Sequence, residues 1–407
     1  MIPKNTLILA DNCYYSMNCY ETQLNNNVLV VGSSGCGKTR SIVTPNILQA
    51  TGSYIISDPK GTLYPKYGRY LRERGYEVQV LDFIHPERSA GYNFFNYIRN
   101  TQDIIKIAHM LIYGMNEDNN KRPDPFWDEA AELLLTAVIG FLHERAVDED
   151  KNFSAVQTLV MACQVNEDDS DAKTTLDIIM DREYEDDEDS FAYRQYKKFR
   201  IAAGKTLKSI LITLNAHLGK YDFDELNKMM ERDELNIASI GQKKKALFVI
   251  VSDTDRSMDG LANLFYSQAM NELCRYADEE CAGNRLPMDV RFILDDFATN
   301  CKIVGFPSMI SNIRSRGISA MLMIQAESQL EQGYGADGKT IVANCDTYVY
   351  LGGNDIETAK KVAERCDLPY RKILNMPIGT NWIFRRGQDP VNGKNIMPEK
   401  VRNDMVR

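Results

Sequence analysis

An apolar run, Val28-Leu-Val-Val31, leads directly into Gly32-Ser-Ser-Gly-Cys-Gly-Lys38-Thr39 and then into a helix-compatible stretch. Few folds accept that order. A strand must deliver the chain to a turn whose glycines let backbone N–H groups point inward around an anion. The helix that follows then aims its positive N-terminal end at the same point. Gly32, Ser33, Ser34, Gly35, Cys36, Gly37, Lys38 and Thr39 therefore form a candidate phosphate cradle. Lys38 is placed to reach the β- and γ-phosphates of a nucleotide, and Thr39 to ligate Mg²⁺.

The surrounding pattern fits an α/β sheet. Strands are expected at 28–31, 53–57 and 77–83, separated by helices at 38–49 and 63–74. That alternation reads as a parallel sheet covered by helices. From about Thr101 to Gly241 the periodicity turns helical, with apolar stripes over 128–143 and 209–218. Strands return at 246–252, 290–295, 319–324, 346–351 and 381–385, with a helix over 261–282. The expected organisation is a nucleotide-binding α/β domain made of residues 1–100 and 242–407, split by an all-α insertion over 101–241.

Composition narrows the setting. The chain has 407 residues, 44% apolar and 26% charged, as in a folded globular protein. Its longest strongly apolar stretch, Leu133 to Leu142, is too short to cross a bilayer, and no secretory leader opens it. Nine cysteines occur without a Cys-x-x-Cys pair, which fits a reducing cytoplasm and argues against zinc. The net charge of −9 excludes a nucleic-acid footprint over the whole surface. Much of the excess lies between Glu167 and Asp189, either a solvated acidic loop or a docking surface for a basic partner. Arg194, Lys197, Lys198, Arg200, Lys205 and Lys208 follow, either a solvated helix face or a contact for phosphate backbones.

Hydrolysis needs more than a cradle. Arg291-Phe-Ile-Leu-Asp295-Asp296 reads as a buried strand ending in two acids. In a parallel sheet, that strand end lies beside the phosphate loop. Asp295 is placed to hold the Mg²⁺ shell and Asp296 to polarise the attacking water; the plainer reading is a pair capping the next helix. Asp58-Pro-Lys60-Gly ends another strand at the same edge, so Asp58 and Lys60 are candidates for nucleotide contact, or part of a simple turn. Gln325 ends the strand from Ser319 and can sense the γ-phosphate, or satisfy a loop. Arg314 and Arg316 precede that strand, where a guanidinium presented to a neighbouring subunit's nucleotide would stabilise charge on the transferred phosphoryl group. Gly204-Lys205-Thr206 is set aside as a second loop, because Phe199 stands where its first glycine is required.

Taken together, these residues resemble the type IV secretion coupling proteins, the TraG-type ATPases of conjugative DNA transfer. The resemblance runs through Asn27 to Gly32, Thr44-Pro-Asn46, Ser57-Asp-Pro-Lys-Gly61, Asp124-Pro-Phe-Trp127, Leu294-Asp-Asp-Phe297, Ile313 to Ser319, Gln325 to Leu330, and Asn344 to Gly353. It implies a RecA-like P-loop NTPase domain with an inserted all-α domain, ATP and Mg²⁺ as ligands, and a homo-hexameric ring. It also implies the partners: a relaxase–single-stranded DNA complex and type IV secretion channel proteins at the inner membrane. Arg314 falls where such enzymes carry an arginine finger. Two features depart from the pattern. Asp296 stands where the family usually has Glu, which sets the carboxylate back by roughly 1.5 Å. The usual N-terminal membrane anchor is not found, so a cytoplasmic chain, peripheral to the membrane through partners or a missing anchor, is expected. A substrate receptor that selects protein cargo with little turnover is the alternative function. A chromosome-partition pump fits the block from Arg314 to Gly353 poorly.

Overall fold

A computed structural model describes residues 2–113, 125–164, 172–202, 204–297 and 301–406. They form two compact units. The sheet unit contains residues 1–80, 236–253 and 269–407, and the helical unit residues 81–235 and 254–268. Residues 81–100, expected with the sheet, thus belong to the helical unit, as does the first half of the helix Asp259–Glu280.

The sheet has nine strands: β3 (Val28–Val31), β4 (Ser53–Ser57), β5 (Glu77–Asp82), β6 (Lys245–Ile250), β7 (Val290–Leu294), β8 (Ile318–Ile324), β9 (Thr347–Tyr350), β10 (Thr380–Arg385) and β11 (Val391–Lys394). Their spatial order is β11-β10-β9-β3-β8-β7-β4-β6-β5. Strands β9, β3, β8, β7, β4 and β6 are parallel neighbours. β10 and β11 turn back antiparallel at one margin. Every residue of β3, β4, β7 and β8 is buried, which explains their near-continuous apolar sequences: both faces are covered. β10 alternates between half-buried and buried positions, as befits a strand near the margin.

A hairpin absent from the sequence reading, β1 (Thr6–Ala10) with β2 (Cys13–Ser16), pairs with itself. Its outer edge is satisfied by side chains. Asn46 accepts from the Ile8 amide (3.1 Å) and donates to the Ile8 carbonyl (2.8 Å), while Gln49 does the same for Thr6. Both amides come from the helix after the phosphate loop. That helix is not the regular one expected over 38–49. It opens as a π-turn, Thr39–Val43, and continues as α1 (Thr44–Leu48). Pro45 explains the widening: it has no N–H to give, and its ring would collide with the carbonyl four residues back in a regular helix.

The helical unit is built around α2 (Phe126–Arg145), whose Leu134, Leu135, Val138 and Ile139 are fully or almost fully buried. Gly140 lets the helix Phe191–Phe199 approach closely. A Cβ there would sit 3.0 Å from that of Ala192. The expected stripe at 209–218 lies in the helix Lys205–Gly219, which also confirms the helical context of Gly204-Lys205-Thr206. Of the acidic run, Glu167 to Asp171 lie outside the described residues, as does Asp124. Farther along, Asp187 pairs with Arg145 and Glu188 with Lys197 at exposed positions. No helix among the described residues is long and apolar enough to cross a membrane.

Candidate active site

Because β3, β4, β6, β7 and β8 are parallel, their carboxyl ends meet at one edge of the sheet. The loop after β3 is tied to its neighbours there. The Gly32 amide donates to Ile324 at the end of β8 (3.1 Å), and the Ser33 amide to Gly352 beyond β9 (3.0 Å). Gly35 and Gly37, at φ 79° and 96°, take the left-handed conformations that turn the loop back on itself. Lys38 is 8% exposed, and its ammonium bridges the loop, donating to the carbonyls of Gly32 (2.6 Å) and Ser33 (3.2 Å).

Asp295 follows β7 and faces the loop. Its carboxylate accepts the Thr39 hydroxyl at 2.8 Å and the Asp296 amide at 3.2 Å. Its own carbonyl accepts from Ser57 at the end of β4 (3.2 Å). Burial pushes the Asp295 carboxyl above its ordinary value; the Thr39 hydrogen bond and the Lys38 charge pull against that, and the charge of Asp296 adds to it. Asp296 has φ 54°, a left-handed position that short polar Asp tolerates far better than most side chains.

A cavity of about 890 Å³ opens above these groups. Ser34, Gly35, Gly37, Lys38 and Thr39 line it from the loop, Asp58 and Lys60 from the end of β4, and Asp295, Asp296 and Gln325 from the ends of β7 and β8. Gly32, Ser33 and Cys36 instead form the base of the loop, where the first two amides are already engaged. Burial raises the Cys36 thiol, which keeps it protonated.

Asp58 has a definite structural duty. At 1% exposure, its carboxylate accepts from the amides of Thr62 (2.9 Å), Leu63 (2.7 Å) and Tyr64 (3.0 Å), opening the helix Leu63–Arg72. Burial pushes its carboxyl up and those three amides pull it down, with burial the stronger. The main-chain amide of Gln325 donates to the Gln329 side chain (2.7 Å).

Arg314 is not in the cavity. It precedes β8 and so lies at the amino edge of the sheet, where it donates to the Cys19 carbonyl (3.0 Å). The length of β8, roughly 23 Å at the usual rise per residue, separates that edge from the loop. Arg314 therefore cannot serve the nucleotide of its own chain. Asp253, Arg40 and Glu399 also line the cavity and were missed. Asp253 was findable, since it follows the buried strand β6 just as Asp58 follows β4. Glu399 gives no signal, because the chain returns to the loop only at its far end, where Glu399 lies 3.8 Å from Arg40.

The family model described as Type IV secretory system Conjugative DNA transfer matches residues 4–367. The chain belongs to that family. Among curated members of this conjugative DNA transfer group, the type IV secretion system-coupling protein VirD4 of Bartonella henselae is 18% identical over 398 residues, covering 93% of this chain and 59% of the relative. The conjugal transfer protein TraG of Escherichia coli is 22% identical over 356 residues, covering 83% and 54%. The chain thus spans little more than half the length of these relatives. Among solved structures, the plasmid coupling protein TrwB with the non-hydrolysable ATP analogue ADPNP superposes with a TM-score of 0.66 at 18% identity, covering 91% of this chain and 85% of that one. TrwB has also been solved with ADP and Mg²⁺, with a TM-score of 0.62 to this chain. The likeness establishes a RecA-like sheet with a helical unit as the shared fold.

Proposed function

We propose that this chain is the motor part of a coupling protein, which binds ATP with Mg²⁺ and uses its hydrolysis to move a relaxase-bound single strand of DNA into a type IV secretion channel. The observation that carries this reading is the 2.8 Å contact between Thr39 and Asp295. It joins the phosphate loop to the acid-bearing strand with a pair of hard oxygen donors that suits Mg²⁺. Complexes of TrwB with an ATP analogue and with ADP and Mg²⁺ support the same assignment.

Each residue then has a task. Lys38 exchanges its two loop carbonyls for phosphate oxygens. Thr39 and Asp295 would hold the metal, as the family resemblance implies. The metal would neutralise charge on the β- and γ-phosphate oxygens. Asp296 accepts a proton from the attacking water, Gln325 orients that water or reads the γ-phosphate, and Lys60 sits within the same cavity. Gly32, Ser33 and Cys36 keep the cradle's shape rather than touch the ligand. Arg314 acts on a neighbouring subunit's nucleotide, which calls for a ring; six subunits, at the cytoplasmic face of the membrane and in contact with channel proteins, is the arrangement that the family resemblance implies.

A receptor that binds nucleotide but turns it over slowly is the second reading, favoured by the short carboxylate of Asp296. A steady-state ATPase assay with and without single-stranded DNA tests both. DNA-stimulated turnover that vanishes in Lys38→Ala is expected. Tight nucleotide binding without turnover at any protein concentration would favour the receptor, and failure to bind adenine nucleotides would end both readings.

A further inference from the structure

Arg291 is a polar intrusion at the second position of β7, in an otherwise apolar strand, and is 4% exposed. Cations buried that deeply are ordinarily paired, because an uncompensated charge away from water is costly. Among the described residues no carboxylate accepts from this guanidinium. One terminal nitrogen rests against the Met17 sulfur, a weak acceptor, and Nε has no acceptor among the described residues. Its neighbours across the sheet are Tyr54 on β4 and Ser319 on β8, both uncharged. Asp289, whose charge acts on it, is already engaged by Arg285 at 2.5 Å.

A cavity of about 260 Å³ opens at this point, bordered by Arg291, Arg285, Asp289, Asn5, Thr51 and Ser319. Two guanidinium groups and one carboxylate leave it one positive charge in excess. Thr51 and Ser319, whose hydroxyls can donate to an anion, border the same space. The cavity is distinct from the nucleotide site. Arg291 enters the sheet at its amino edge, and roughly 13 Å of strand separates it from Asp295 at the carboxyl edge.

We propose that this cavity is a binding site for a small oxyanion, a phosphate or a carboxylate, held between the guanidinium groups of Arg291 and Arg285. The anion completes the charge that Asp289 leaves uncompensated. It also bears on the turn that carries Arg314. The Leu286 amide donates to Arg316 (3.0 Å), the Val290 amide to Gly317 (2.9 Å), and Arg285 reaches the Arg314 carbonyl (3.5 Å). Occupancy therefore stiffens the segment against which that turn is hydrogen-bonded. None of this depends on the chain being an ATPase.

The test uses the whole chain carrying Lys38→Ala, which weakens anion binding at the phosphate loop. Sodium phosphate and sodium acetate are titrated separately at ionic strength held constant with chloride. Binding is followed by calorimetry and by thermal unfolding. Saturable binding at one site is expected for at least one anion, and the preferred one identifies the class. Adding Arg291→Met should weaken it at least tenfold and abolish the anion-dependent rise in Tm, while the anion-free protein is no less stable, since an unpaired buried charge has been removed. Arg285→Met, at a half-buried position, should also weaken binding and provides the check should Arg291→Met fold poorly. Absence of saturable binding for both anions, or binding that survives both substitutions unchanged, would overturn the proposal.

Discussion

Asp58→Ala removes the acceptor for three main-chain amides at the start of the helix Leu63–Arg72. Loss of a capping side chain costs about 0.5–2 kcal/mol. Leu63 is buried, so water cannot readily replace the carboxylate at its amide, and an unsatisfied buried donor adds about 1–3 kcal/mol. Relief of the buried carboxylate's own desolvation offsets part of that sum. The net expectation is a loss of about 2–3 kcal/mol, or roughly 5–10 °C in Tm for a unit of this size. Asp58→Ser retains one short acceptor and should recover about half of the loss. Urea and thermal unfolding measure the stability, and a fluorescent ATP analogue measures the site. Serine should leave nucleotide affinity within about threefold, because the carboxylate is occupied by the backbone rather than aimed at a ligand. An alanine variant as stable as the parent would refute the reasoning. So would a serine variant of parental stability that binds nucleotide tenfold more weakly, since Asp58 would then be a ligand contact and not a cap.

Asp295→Asn should abolish the Mg²⁺ dependence of nucleotide binding and lower turnover by about a hundredfold or more, as read by Mg²⁺ titration and steady-state hydrolysis. Burial raises the Asp295 carboxyl, so the metal must compete with a proton, and Mg²⁺-supported nucleotide affinity should fall as pH is lowered through that raised value. The same shift means that Asp295's contribution to stability is fully present below its unfolded pKa and is lost as pH rises through the folded one; Asn should remove that dependence from pH-resolved unfolding curves. Arg314→Ala should keep nucleotide binding and lose hydrolysis, with partial recovery when mixed with Lys38→Ala protein, and no recovery in mixed oligomers would count against action between subunits. Asn46→Ala should cost about 2–4 kcal/mol in urea unfolding, because both main-chain groups of Ile8 lose their partner.

Much of the carboxyl edge could be read from the chain. Four buried strands announced themselves as short apolar runs, and the residues just past them, Gly32, Asp58, Asp295 and Gln325, fell where a parallel sheet must gather its loops. The same rule applied to β6 would have added Asp253. What escaped had physical reasons. β11, Val391-Asn-Gly-Lys394, has no apolar alternation because it lies exposed at the margin of the sheet. Pro45 signalled a break, yet the chain answered with a wider turn rather than an end. The duty of Asp58 as a cap and the lack of a carboxylate partner for Arg291 among the described residues depend on distances that no spacing reveals. Nor does spacing disclose that Arg314 lies a strand's length from its own phosphate loop, although its place before β8 implies it once the sheet is known to be parallel.

Asn46 and Gln49 do for β1 what another strand would ordinarily do. Both main-chain groups of Thr6 and of Ile8 are spent on an amide side chain, so no foreign extended segment can add itself there. The hairpin is closed on one side by β2 and on the other by the very helix whose first turn holds Thr39. A rotation of that helix that follows the phosphates has to drag the hairpin along or break four buried hydrogen bonds. The hairpin from Thr6 to Ser16 is thereby geared to the state of the cradle.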